Sequence, residues 1–190
     1  MMIRLAILAS GNGTNAQRIM EYFCFHSAAK VTLLLSNNPD APVLERAGKM
    51  HVPTVTFNRN DLYHTRHILD LLSVQGIDWI ILAGFLWLIP ENILHFYPGR
   101  IINIHPALLP KYGGKGMYGM KVHETVLKNE EKESGITIHF VNEKYDEGQV
   151  IFQAKCPVMK EDTAASLAAR IHELEYLHFP EVIEQIVTGA

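Results

Sequence analysis

The chain has 190 residues, enough for one sizeable core, and its 48% hydrophobic and 19% charged residues are those of a globular protein rather than a disordered one. A net charge of −3 argues against a general nucleic-acid surface and leaves room for a local anion site. Two isolated cysteines, Cys24 and Cys156, form neither a CxxC pair nor a Cys/His cluster, which argues against a disulfide framework or a zinc site and fits a reducing compartment. The apolar start, MMIRLAILAS, is too short for a membrane span and reaches glycine before a long signal-peptide core develops, so a soluble, cytoplasmic protein is expected.

In chain order, IRLAILAS reads as a buried strand, NAQRIMEYFCF as a helix, and VTLLLSN as a second buried strand. APVLERAGKM is a short helix and VPTVTF a third strand. DLYHTRHILDLLSVQG has Leu62, His67, Ile68, Leu71 and Leu72 at helical spacing and stops on Gly76, which predicts one helix. DWIILAGF is a fourth strand, a short helix follows Pro90, and RIINIH is a fifth strand. PALLPKYGGKGMYGM has two prolines and four glycines in fifteen residues and is a long loop, with Lys111, Lys115 and Tyr118 as groups able to close over a substrate. KVHETVLKNEEK is a helix, GITIHFV alternates as a half-exposed or edge strand does, and VIFQAKCPV is another strand. TAASLAARIHELEYLHF is a long helix, interrupted or kinked at Pro180. Continuous apolar strands alternating with helices predict an α/β fold: one domain over 1–190, a doubly wound, mostly parallel sheet with helices on both faces. There is no repeat or linker.

Ligands of such sheets gather at the carboxyl ends of the parallel strands. Three stretches fall there: SGNGTN after the first strand, AGFLWL after the fourth and NIHP after the fifth. SGNGTN joins a strand to a helix; its N–H groups and the helix N-terminus suit an anion, and a single phosphate fits better than a dinucleotide or NTP, whose glycine fingerprints are absent. A plain turn capped by Thr14 or Asn15 would look the same. Asn103 and His105 stand two apart on one strand and point the same way. An asparagine amide can donate to a developing oxyanion and a histidine can carry protons near neutral pH, which suits attack of an amine on a carbonyl-like carbon. Asp146, in EKYDEGQVI, would raise the His105 pKa if it lay close; a simple turn is the competing reading. Glu175 falls on or beside the inner stripe of the last helix marked by Leu167, Ile171, Leu174 and His178, where a carboxylate is costly unless paired. It suits a sugar diol, or a salt bridge with Arg170. The ten histidines show no HExxH or related pattern, so no metal is expected. His139 shares a strand face with Thr137 and Val141 and reads as a satisfied structural residue. Trp79 and Trp87 read as core, with Trp87 near the crevice.

LASGNGTN, LAGFLWLIP, RIINIHPALLPKY, GITIHFVNEKYDEGQVI and LEYLHFP, in this order, resemble the folate-dependent phosphoribosylglycinamide formyltransferase family of purine biosynthesis, over nearly the whole chain. NIHPALLP alone resembles the wider formyltransferase superfamily. The resemblance implies the formyltransferase fold, with antiparallel strands near the C-terminus. It implies that Gly13, Thr14 and Asn15 hold the phosphate of glycinamide ribonucleotide and that Glu175 binds its ribose hydroxyls. Leu86, Trp87, Leu88 and Ile89, with Val141, Asn142, Asn103 and Asp146, would surround the pterin of 10-formyltetrahydrofolate. Asn103, His105 and Asp146 match the family's catalytic set, with His105 kept protonated by Asp146. The implied partners are small molecules, with no nucleic acid, membrane or metal, in a monomer or homodimer.

Rival readings make different demands. Formylation of methionyl-tRNA needs a further RNA-binding domain. A formyltetrahydrofolate hydrolase shares the three polar residues but has less need of a phosphate loop. A non-catalytic phosphate- or nucleotide-binding module would keep SGNGTN alone. A nicotinamide oxidoreductase has the wrong glycine spacing and lacks an acidic residue after the second strand.

Overall fold

A computed structural model describes residues 2–189. All seven strands lie in one sheet of order β3-β2-β1-β4-β5-β6-β7. In chain order they are β1 (Ile3–Leu8), β2 (Ala29–Ser36), β3 (Thr54–Thr56), β4 (Trp79–Leu82), β5 (Ile101–His105), β6 (Glu133–Phe140) and β7 (Val150–Pro157). β1 to β5 run parallel, whereas β6 and β7 are antiparallel to their neighbours. The helices are α1 (Thr14–Phe23), α2 (Pro42–Lys49), α3 (Arg59–Tyr63), α4 (His67–Val74), α5 (Glu91–Phe96), α6 (Met120–Lys128) and α7 (Ala164–Thr188).

The sheet separates two apolar cores, and β1 shows why its sequence is apolar throughout. Leu5 and Ile7 point into the core under α1, α2, α6 and α7, while Ala6 and Leu8 point into the core under α3, α4 and α5. The first core takes Ile19, Phe23, Val43, Leu167 and Ile171; the second takes Leu62, Ile68, Leu72 and Ile93.

Two predicted helices differ from the observed ones. The single helix expected over 61–76 is two. Asn58 opens α3 through a capping box, its side chain accepting from the Asn60 and Asp61 N–H groups at 2.8 and 3.1 Å. The Thr65 hydroxyl accepts the His67 N–H at 3.1 Å and begins α4. The break in the apolar stripe falls at Thr65, whose hydroxyl also donates to the Asp61 carbonyl at 3.1 Å. Conversely, of the interruption or kink expected at Pro180, no interruption occurs: α7 runs through the proline to Thr188. Val182, Ile183 and Val187 continue the buried stripe beyond the proline, and that burial offsets the backbone bond which proline removes.

From β1 the chain winds through β2 to β3 on one side, and it returns at β4 to build the other side. The order therefore reverses between β1 and β4. The crevice beyond their carboxyl ends lies between SGNGTN and AGFLWL, with the end of β5 beside it.

Candidate active site

At that crevice lies a cavity of about 700 Å³. Its wall includes Gly13, Thr14, Asn15, Leu86, Asn103, His105, Asp146 and Glu175, eight of the residues singled out from sequence. Ser10 ties two of the stretches together. Its N–H donates to the Gly84 carbonyl at 3.0 Å and its hydroxyl accepts the Leu86 N–H at 3.0 Å.

The anion end is the start of α1. Gly13 is the N-cap at φ 72°, in the left-handed region, and a Cβ there would lie 2.1 Å from Val43 Cγ2. Among the described residues no side chain caps α1, contrary to the plain-turn reading with Thr14 or Asn15 as cap, so its first N–H groups are free to meet an anion. Arg46 holds the loop from outside, donating to the Asn12 backbone carbonyl at 2.8 Å and to Asn12 Oδ1 at 2.9 Å.

Glu175 is 4% exposed and enters the same cavity from α7. Its Oε2 accepts from Asn15 Nδ2 at 2.8 Å and pairs with His172 Nδ1 at 2.8 Å. The bond to Glu175 raises the His172 pKa against the opposing effect of burial. Glu175 Oε1 has no protein partner among the described residues and is not sealed from solvent. The salt bridge with Arg170 does not form, because Arg170 holds Asp162 through two bonds of 2.8 and 3.0 Å.

The NIHP end is built by the antiparallel pairing of β5 with β6. That register sets Asn103 opposite His139 and His105 opposite Thr137. Thr137 Oγ1 accepts the Leu109 N–H at 3.0 Å and donates to the Ala107 carbonyl at 2.7 Å, which fixes the chain leaving β5. His105, 4% exposed, has Nε2 at 2.7 Å from the Tyr112 carbonyl and Nδ1 at 3.5 Å from Asp146 Oδ2. Asp146 Oδ2 also accepts the Gly114 N–H at 2.9 Å.

The electrostatics correct one expectation. Asp146 does lie beside His105 and pulls its pKa up, as does the bond to Tyr112, but burial outweighs both and the His105 pKa falls below its ordinary value. The resting ring is therefore neutral near pH 7. Burial pushes Asp146 up, yet His139, His105 and the Gly114 N–H together outweigh it and hold the carboxyl below its usual range.

Asn103 also departs from expectation. Its Nδ2 is engaged by protein groups, 3.1 Å from His139 Nε2 and 3.5 Å from Asp146 Oδ1. His139, read from sequence as structural, is 2% exposed and touches two of the three residues of the cluster. His123 and His172 also reach the cavity wall and were not singled out. Alternation along β6 gave the face of His139, but its partner required the β5–β6 register.

The other expected folate residues lie beyond Leu86. Trp87 packs among Phe57, Tyr63 and Phe85, with the Arg59 guanidinium 4.6 Å above its ring. The Leu88 carbonyl accepts the Tyr63 hydroxyl at 2.9 Å, and Ile89 is buried. Val141 donates to the Ile101 carbonyl at 3.0 Å, and Asn142 Oδ1 accepts the Lys144 N–H at 3.0 Å. None of these five lies on the wall of the cavity. In the long loop, Lys115 and Tyr118 line the cavity, but Lys111 is held away by Glu131 at 2.8 Å. Among the described residues no cluster of metal-binding side chains occurs, and no helix is long and apolar enough to cross a membrane.

The formyl transferase family model matches residues 3–183. The phosphoribosylglycinamide formyltransferase of Haemophilus influenzae is 37% identical over 195 residues, covering 99% of this chain and 89% of that one. The chloroplastic enzyme of that name from Arabidopsis thaliana is 40% identical over 189 residues, covering 96% of this chain; the match spans only 65% of the plant protein. The crystal structure of the phosphoribosylglycinamide formyltransferase of Anaplasma phagocytophilum superposes with a TM-score of 0.89 at 34% identity, covering 100% of this chain and 89% of that one.

Proposed function

The chain belongs to the formyl transferase family, and from that premise we infer that it transfers the formyl group of 10-formyltetrahydrofolate to the amine of glycinamide ribonucleotide in purine biosynthesis. One observation carries this reading. An uncapped helix N-terminus for a phosphate, a buried carboxylate for a ribose, and the Asn103–His105–Asp146 cluster share one cavity. A hydrolase has no use for the first two. The substrates are small molecules, and the cytoplasm is the compartment this chemistry and the reduced cysteines fit.

Gly13, Thr14 and Asn15 receive the phosphate, and Glu175 Oε1 accepts from the ribose hydroxyls. The pterin lies towards Leu86, with Trp87 to Ile89 and Val141 to Asn142 shaping that end. Anchoring the ribonucleotide at its phosphate and ribose aims its amine at the formyl carbon and supplies the orientation part of catalysis.

The amine lone pair forms the new C–N bond while the formyl π electrons move to oxygen. His105 Nδ1, neutral at rest, takes the proton the amine releases, and Asp146 stabilises the imidazolium so formed. The imidazolium then returns the proton to the folate nitrogen as the old C–N bond breaks. The formyl oxygen regains its double bond, and tetrahydrofolate leaves. No metal takes part in these steps.

The test is to incubate the protein with 10-formyltetrahydrofolate and follow tetrahydrofolate release with and without glycinamide ribonucleotide. Release that depends on the ribonucleotide supports the transferase. Equal release without it indicates a hydrolase, and no release by folded protein returns His105 to a structural role.

A further inference from the structure

We propose that His139 is a positioning residue that fixes the Asn103 amide with its oxygen, not its nitrogen, facing the substrates; this rests on the transferase reading above. The argument is one of donors and acceptors. His139 Nδ1 lies 2.8 Å from the Phe140 carbonyl, which can only accept, so Nδ1 carries the proton of the neutral ring. In the neutral ring Nε2 is then the lone-pair nitrogen; it faces Asn103 Nδ2 at 3.1 Å and lies 3.7 Å from Asp146 Oδ1, beyond hydrogen-bond reach. Only the NH₂ end of the amide can meet a lone pair there. The neighbouring Asp146 Oδ1, 3.5 Å from Asn103 Nδ2, is also an acceptor and excludes the flipped amide for the same reason. His105, two positions along β5 from Asn103, faces the other oxygen of Asp146 at 3.5 Å.

Both hydrogens of Asn103 Nδ2 are thereby directed at His139 and Asp146. Asn103 Oδ1 accepts no hydrogen bond from the described residues, is not sealed from solvent, and belongs to a side chain on the cavity wall. An oxygen so placed accepts a hydrogen from the attacking amine and turns the nitrogen lone pair towards the formyl carbon. Asn103 thus orients the nucleophile rather than donating to the oxyanion. The cross-strand pairing of Asn103 with His139 makes the arrangement rigid.

Two measurements test this. In ¹⁵N spectra of imidazole-labelled protein at neutral pH, His139 should show a protonated Nδ1 and an unprotonated Nε2; a protonated Nε2 would overturn the proposal. In kinetics, His139→Leu should lower kcat by about tenfold, roughly the worth of one oriented hydrogen bond, with the ribonucleotide KM little changed. His139→Gln, which can place an acceptor oxygen where Nε2 lies, should restore most of the rate. A leucine variant that raises KM alone, or a glutamine variant as slow as leucine, sinks the idea. Wild-type protein without ribonucleotide-dependent transfer would instead refute the transferase reading, and the nitrogen spectrum would still decide the amide orientation.

Discussion

His105 Nε2 lies 2.7 Å from the carbonyl oxygen of Tyr112, and because a carbonyl only accepts, this bond assigns the proton of the neutral ring to Nε2. Nδ1, facing Asp146, is left as the nitrogen that gains and loses a proton. Tyr112 presents that carbonyl from the left-handed region, at φ 59°. Its hydroxyl donates to Glu131 at 2.8 Å and accepts from Asn129 at 3.0 Å, so the far end of α6 helps to hold the proton carrier. Tyr112→Phe should therefore lower kcat about two- to fivefold, the effect of loosening one hydrogen-bonded anchor, and leave the ribonucleotide KM unchanged. Steady-state kinetics with each substrate varied will separate the two.

Removing the proton carrier or its carboxylate should be far more severe. His105→Ala and Asp146→Ala are each expected to lose roughly 10²- to 10⁴-fold in kcat while keeping a native circular dichroism spectrum. Near-normal turnover in either variant would contradict the roles assigned to these residues.

The acid limb of kcat/KM should lie below the ordinary histidine value of 6.5. His105 acts as a base only when neutral, and burial lowers its pKa, so the neutral form persists as pH falls through 6.5 and is lost at a lower pH. Asp146 opposes that lowering. Asp146→Asn should thus move the limb still further down, in addition to slowing the reaction. A pH–rate profile of both proteins checks the sign.

Gly13→Ala should damage binding and stability together. The substitution forces a side chain into the left-handed region and against Val43, a combination expected to cost about 2–4 kcal/mol. The ribonucleotide KM should rise at least several-fold with folate binding preserved, and thermal melting should report the lost stability.

Glu175→Gln should weaken ribonucleotide binding by roughly tenfold, since a neutral amide replaces a charged acceptor at the cavity wall. The same change removes the carboxylate that raises His172, so the His172 pKa should fall. Calorimetry and an NMR titration of His172 measure the two effects on one sample.

Sequence pattern alone was enough for β1, β2, β4 and β5, because burial on both faces leaves an unbroken apolar run that flanking glycines and polar residues delimit; β6, expected from its alternation to be half-exposed or an edge, is instead buried between β5 and β7, and β7 takes the edge. The pattern also determined that Asn103 and His105 close β5 on one face, since strand alternation is local. Tertiary structure decided the contacts between distant segments. Asn15 meets Glu175 across 160 positions and Asn103 meets His139 across 36, separations that no local period encodes. It decided the fate of Glu175, whose nearer candidate partner Arg170 was taken by Asp162. It decided the charge of His105 as well. The sequence named the carboxylate that raises that pKa, but how far burial opposes it depends on how completely the fold removes the ring from water.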